Sequence, residues 1–246
     1  MKSYKDVVKD RYDNEKYIHL YDNVYSLINP TGFYINYKMR YVLYKIFNKI
    51  RKSGIDITRS KILDIGCGDG IWTRFFAELK GTTKDIYGID LSKNRIKKAK
   101  MLNPNIKYLT GDIIDINLKN IKFDIVIAMD LFSYFNTEVQ IIKSLDNIYN
   151  LLKKNGLFFL YDIYNKSHFK RKKNSDTHGF NNKEIIEFSE KAGFEKIYYS
   201  KIFKKILWKY HSAYAVNNFF SFEFISLLEK ILPGTAGNIF FLFKKE

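Results

Sequence analysis

The chain has 246 residues, 46% hydrophobic and 17% aromatic, which is ample for one large α/β core and too apolar for a disordered chain. Its formal net charge of +16 rests on 42 Lys and Arg, of which only 7 are Arg, so the charge reads as a solvated lysine coat. Phosphate and base recognition favour the bidentate guanidinium, which disfavours nucleic acid as a substrate without excluding it. A single cysteine, Cys67, leaves no intrachain disulfide and suits a reducing cytoplasm. The stretch Met1 to Asp6 carries no apolar run, so no signal peptide is expected. Nor does any run approach the roughly 20 apolar residues of a membrane span.

Residues 1–32 are aromatic and polar without a clean period. Met39, Val42, Leu43, Ile46, Phe47 and Ile50 then recur at helical spacing, predicting a helix over 36–51 ended by Gly54. Together, residues 1–55 are expected to form a helical cap. Tyr34 and Tyr37, with Tyr41, are candidates to line an acceptor site, although tyrosines of this kind also simply bury their rings and wet their hydroxyls.

Ile62-Leu63-Asp64-Ile65-Gly66-Cys67-Gly68-Asp69-Gly70 reads as a short apolar strand running into a glycine-rich turn, with a helical pattern after it. Gly66, Gly68 and Gly70 permit positive φ and leave no Cβ between backbone and ligand. The free N–H groups at the following helix start aim into the same space. Asp64 stands at the strand end. The next strand, over 85–90, ends in Asp90, 20 residues beyond Gly70, where a doubly wound sheet places an acid on ribose hydroxyls. A third strand, over 106–113, ends in Gly111-Asp112-Ile113. Phe123 to Met129 is a continuous apolar run, hence a central parallel strand whose C-terminal end, at Asp130 and Tyr134, faces the ligand crevice.

A helix over 137–152, a turn at Lys153-Lys154-Asn155-Gly156 and a strand over 157–162 follow. A basic loop from Asn165 to Thr177 leads into a helix over 182–191, capped by Gly193, and a strand over 194–202. The remainder is an insertion over 203–236, with an amphipathic aromatic helix at 219–232, and a last strand over 238–243. Alternating strands and helices make one α/β domain, a doubly wound, Rossmann-like sheet with helices on both faces. Its core spans 56–202, and 237–246 is set aside for the closing strand.

The string at 62–70, with Asp90, Asp112 and the strand at 123–129 in this order, resembles the class I S-adenosylmethionine-dependent methyltransferases over residues 60–202. That resemblance implies seven mostly parallel strands, the last inserted antiparallel. It implies S-adenosylmethionine as cofactor and S-adenosylhomocysteine as product. The glycines would admit the amino-acid tail, Asp64 would help fix its ammonium, and Asp112 and Ile113 would meet the adenine. Cys67, Leu91 and Met129 complete the cofactor candidates. Segments 161–165 and 227–233 resemble, more loosely, methyltransferases of bacterial surface-polysaccharide pathways, implying a glycan or small-molecule hydroxyl as acceptor. Such acceptors are often lipid-linked. The helix at 219–232 and the lysines at 201–209 could then touch an anionic membrane surface, against the plainer reading of a core helix flanked by solvated lysines.

A hydroxyl nucleophile must lose a proton, so a base is expected in the crevice. The candidates are Asp130, Asp162, His168 and His178, with Tyr134 on the acceptor side. Asp130 and Asp162 also stand where metal-dependent catechol-type methyltransferases keep ligands; two such carboxylates are common without metal, and none is expected. Met129-Asp130-Leu131-Phe132 lacks the prolines of the base-flipping amino methylases. The leading expectation is O-methylation of a small molecule or glycan intermediate. The alternatives are an RNA methyltransferase using the basic surface and a non-catalytic methyltransferase-like binding module.

Overall fold

The computed structural model describes residues 3–12, 30–52, 56–116, 118, 120–166, 177–204, 222–231 and 234–246. In chain order these give α1 (Tyr4–Tyr12), α2 (Pro30–Lys52), β1 (Ile62–Ile65), α3 (Ile71–Lys80), β2 (Ile86–Asp90), α4 (Lys93–Leu102) and β3 (Lys107–Thr110). Then come β4 (Phe123–Met129), α5 (Glu138–Leu151), β5 (Leu152–Ile163), α6 (Asn182–Lys191), β6 (Phe194–Lys204), α7 (Phe222–Ile231) and β7 (Ala236–Lys245). Three single turns of 3-10 helix, at 57–59, 113–115 and 132–134, punctuate the loops.

The seven strands form one sheet in the order β3-β2-β1-β4-β5-β7-β6. The first five run parallel, and β7 inserts antiparallel between β5 and β6. The order reverses between β1 and β4, so a crevice opens there beyond the carboxyl ends of the strands. β4 shows why the sheet is covered on both sides. Its Ile125 and Ile127 join a core layer with Met39, Leu43, Phe47 and Phe76 from α2 and α3, while Val126 and Ala128 join an opposite layer with Leu145 and Ile148 of α5.

Local chemistry sets the boundaries. Thr137 and Gln140 form a reciprocal capping box at the start of α5, as do Asn181 and Glu184 at α6. The third strand is shorter than the apolar pattern predicts, because Asp112 leaves the ladder to N-cap the 3-10 turn after it, accepting from Ile114 N–H. The turn expected at 153–156 is absorbed into β5. Asn155 adopts φ +62° within it, and the β4–β5 register shifts between Phe123 and Ile125. The insertion begins later than expected, since β6 continues to Lys204, and α2 begins at Pro30, ahead of its apolar stripe. Gly54, residues 167–176 and residues 205–221 lie outside the described residues.

Candidate functional site

A cavity of about 390 Å³ lies in that crevice, within the range of small-ligand sites, roughly 300–1,000 Å³. Its floor is the glycine turn between β1 and α3. Gly66, Gly68 and Gly70 all have positive φ, at +71°, +53° and +78°. A Cβ on Gly66 would meet Leu131 at 3.1 Å, and one on Gly70 would run into the Tyr108 hydroxyl. The turn is thus held to glycine by conformation and by space.

Asp90 closes the turn from β2. Its carboxylate accepts from Gly68 N–H at 2.9 Å and Ser92 N–H at 2.8 Å. Burial raises its pKa, and these two bonds oppose the rise. Leu91, Ile113 and Met129 line the cavity beside it, with Cys67, whose thiol burial raises well above its usual range. Asp112 forms part of the wall, and α1 engages it. Tyr4 hydroxyl donates to Asp112, and Lys5 Nζ stands 2.8 Å from the same carboxylate oxygen.

Not every expected cofactor residue reaches the cavity. Asp64 and Gly70 support it from behind and are not among its lining residues. Asp64 is fully buried and accepts from Thr73 Oγ1 at 2.6 Å; burial carries its pKa up to about 7. The strand end therefore points its carboxylate into the β1–α3 junction.

At the opposite wall stand Asp130, Leu131, Tyr134 and Phe135. Asp130 follows β4 with φ +53°, and its N–H donates to Tyr161 C=O at 2.8 Å. A non-glycine residue in this region is uncommon and is held by its surroundings. Asp162, at the end of β5, lies behind the wall, accepting from Ser133 N–H at 3.1 Å and Ile163 N–H at 2.8 Å. The two carboxyl groups act on each other. Burial first, then the neighbouring Asp162, drives the Asp130 pKa well up; burial takes Asp162 to about 6 against the hydrogen bonds from Ile163 and Ser133.

His178 is buried, its ring edge-on to Phe180, and its backbone N–H donates to Ser133 C=O at 3.0 Å, which places it beside the Asp162 cluster without making it part of the cavity lining. His168 lies outside the described residues. Tyr34 and Tyr37 are elsewhere. Tyr34 is buried with its hydroxyl donating to Glu229 of α7, and Tyr37 stacks between Phe33 and Tyr41 on the exposed side of α2. Of the four acceptor-side tyrosines, Tyr134 alone lines the cavity, its hydroxyl bonded to that of Tyr12.

The sequence reading missed the roof. Tyr4, Val8 and Tyr12 fall at i, i+4 and i+8, one face of α1, and all three line the cavity. The Arg95 guanidinium lies 4.2 Å from the Tyr12 ring, and Asp69 pairs with Arg95 at 3.4 Å and Lys98 at 3.1 Å. No group of three or more His, Cys, Asp or Glu suited to a metal occurs among the described residues.

A glycine cradle at the β1–α3 junction, a carboxylate ending β2 and a crevice at the switch point define a Rossmann-like nucleotide-cofactor domain. Residues 62–156 match the methyltransferase domain family. The chain is 30% identical over 131 residues to a ubiquinone biosynthesis O-methyltransferase of Pelagibacter ubique, covering 50% of this chain and 51% of that protein. It is 27% identical over 149 residues to a tRNA (carboxymethyluridine(34)-5-O)-methyltransferase of Saccharomyces cerevisiae, covering 60% and 48%. It spans about half the length of the curated relatives it matches. Among solved structures, magnesium protoporphyrin IX methyltransferase from Synechocystis with bound SAM shares the fold, with a TM-score of 0.65 at 14% identity over 100% of this chain and 99% of that one. Residues 62–156 are thus similar to a methyltransferase domain, on a fold shared with a methyltransferase that binds SAM.

Proposed function

We propose that this domain transfers the methyl group of S-adenosylmethionine to a hydroxyl of a small molecule, with Asp130 as the general base. One observation carries the reading: the glycine cradle with Asp90 and the Asp130–Tyr134 wall face each other across a single cavity. The residues fit the cofactor. The glycine turn would leave its backbone open to the tail, Asp90 would offer a carboxylate to a ribose diol, and Asp112 and Ile113 would offer an acceptor and an apolar face to adenine. When bound, the cofactor supplies a methyl on a cationic sulfur, already an excellent leaving group.

The chain then has two tasks. It must hold the acceptor oxygen in line with that methyl, and it must remove the hydroxyl proton. Leu131, Tyr134 and Phe135 give an apolar-aromatic wall for the acceptor. Asp130, with its raised pKa, is a stronger base than an ordinary carboxylate once ionised, and the charge of Asp162 behind it adds to that rise. Tyr12 and Val8 close the roof and keep water off both reactants.

The acceptor is a small molecule or glycan intermediate. The similarity to a ubiquinone biosynthesis O-methyltransferase supports an oxygen acceptor on a small molecule. The tRNA-modifying relative and the net charge of +16 favour an RNA acceptor as the second reading. The cytoplasm fits the lone, buried Cys67.

Calorimetry with S-adenosylmethionine and with NAD, followed by transfer of labelled methyl to phenolic, sugar and RNA acceptors, tests the proposal. Binding of NAD alone would overturn the cofactor. Cofactor binding without transfer to any acceptor would favour a binding module, and transfer only to RNA, weakening steeply with salt, would favour the second reading.

A further inference from the structure

A second depression lies away from the glycine turn, between α2 and the β5-β7-β6 part of the sheet, with a volume of about 730 Å³. Its floor is apolar: Val42, Ile46 and Ile50 from α2 face Leu157, Ile197 and Leu242 of the three strands. Its rim is cationic, with Lys38, Lys45 and Lys49 along one side of α2, two turns and then one turn apart, and Lys244 on β7. No carboxylate is among the lining residues; Glu195, opposite Lys244 in the β6–β7 register, is not one of them. Lys38 pairs with Glu229 of α7.

The surrounding surface has the same character. Phe33, Tyr37, Tyr41 and Tyr44 of α2 are 41–54% exposed, and the first three stack in a row, with centroids 6.5 and 6.3 Å apart. Lys45 lies over Tyr41, 4.5 Å from the ring centre. Ile197 and Tyr199 on β6 are also exposed, at 42% and 44%. Aromatic rings with a polar tip, lysines with long apolar stems and an apolar trough together match the layered chemistry of a lipid interface. A soluble polyanion would meet the lysines but leave the trough unused; an uncharged apolar ligand would do the reverse.

We infer that this groove docks the protein on anionic phospholipid, with the headgroup phosphate on Lys45 and Lys244 and the acyl chain laid along Tyr41, Val42 and Ile197. The site is separate from the methyl-transfer cavity, so its failure would leave the functional reading intact. It also differs from the helix at 219–232, since its walls are α2 and the sheet.

Vesicle flotation of the full chain tests it, using phosphatidylcholine vesicles with and without one-quarter phosphatidylglycerol. Binding is expected to the anionic vesicles only. The double variant Lys45→Glu/Lys244→Glu should weaken it about tenfold or more. Lys97→Glu/Lys100→Glu, on α4 at the β2–β3 side of the sheet, changes the net charge equally and should weaken it far less. Tyr41→Ser/Ile197→Ser, both at exposed positions, should leave only the salt-sensitive part of the binding. Equal flotation with neutral vesicles would overturn the inference, as would equal losses in the two lysine pairs. A concentration-dependent dimer abolished by Lys45→Glu/Lys244→Glu, without flotation, would assign the groove to a second copy instead.

Discussion

The two halves of the sheet are built for different ends. Strands β3, β2, β1 and β4 have 4, 5, 4 and 7 residues, all parallel, and stop where the cavity begins. Strands β5, β7 and β6 have 12, 10 and 11 residues, with β7 antiparallel to both neighbours, and their interior is filled with rings: Phe158, Phe159, Phe240, Phe241 and Phe243 are all fully buried. In the short half, strand ends bring carboxylates to the cavity; in the long half, strand middles deliver aromatic mass to the core. Binding and stability should therefore be separable by substitution.

The largest expected effect is on stability. Phe159 is fully buried with ring centres of Phe47, Phe76 and Phe240 at 5.0, 6.3 and 6.0 Å, so Phe159→Ala should cost about 3–5 kcal/mol in denaturant unfolding. Cofactor affinity in the folded fraction should stay within about twofold; a parallel loss of affinity would break the division between the halves.

Asp130→Asn should lower methyl transfer by roughly 10²–10⁴-fold with little change in cofactor affinity. Its effect on stability should run the other way. A carboxyl whose pKa is raised by folding contributes most in the protonated state and loses that contribution as pH rises through the folded value. The Asp130–Asp162 pair should thus weaken the fold from about pH 4 upward, through the Asp162 value of about 6, while the wild-type rate climbs over the upper part of that range and beyond. Unfolding midpoints at pH 5 and 8 check the sign: Asp130→Asn should gain relative to wild type at pH 8. A rate that falls with rising pH would remove Asp130 from the role of base.

Asp90→Ala removes the acceptor for Gly68 and Ser92 N–H along with the ribose carboxylate, and should weaken cofactor binding by about 1.5–3 kcal/mol in calorimetry. Unchanged affinity would mean the ribose lies elsewhere. The smallest effect is expected of Tyr12→Phe, which loses the hydroxyl pair with Tyr134 but keeps the ring under Arg95. About 0.5–1.5 kcal/mol in cofactor or acceptor affinity is expected, and a larger loss would make the roof more than a cover.

Much of this was legible because short-range signals coincide. Gly66, Gly68 and Gly70 stand between an apolar strand and a helix, and the acids at 90 and 112 follow at strand ends, so motif, periodicity and topology agree on one sheet. Roles that depend on long-range packing were not legible. The spacing of Tyr4, Val8 and Tyr12 is helical, but three residues amid lysines and aspartates make too narrow a stripe to announce a roof. Nothing local to Tyr34 shows that Glu229, almost two hundred residues on, would take its hydroxyl. Asp64 was readable as a strand-end acid, while its turn towards Thr73 follows from how α3 packs.

The place of β7 bears on how the chain assembles. β6 holds the rest of the sheet only through β7, which reaches Asn238 against Ile163 on one side and Ile202 on the other. During synthesis β6 leaves the ribosome with no sheet neighbour, and its edge must wait for residues 236–245. Until then Phe158 and Phe194 lack Phe243 beside them, a long stretch of aromatic surface open to the wrong partner. Completion of the sheet thus waits on its last strand, and trimming β7 would unmake two strand pairings at once.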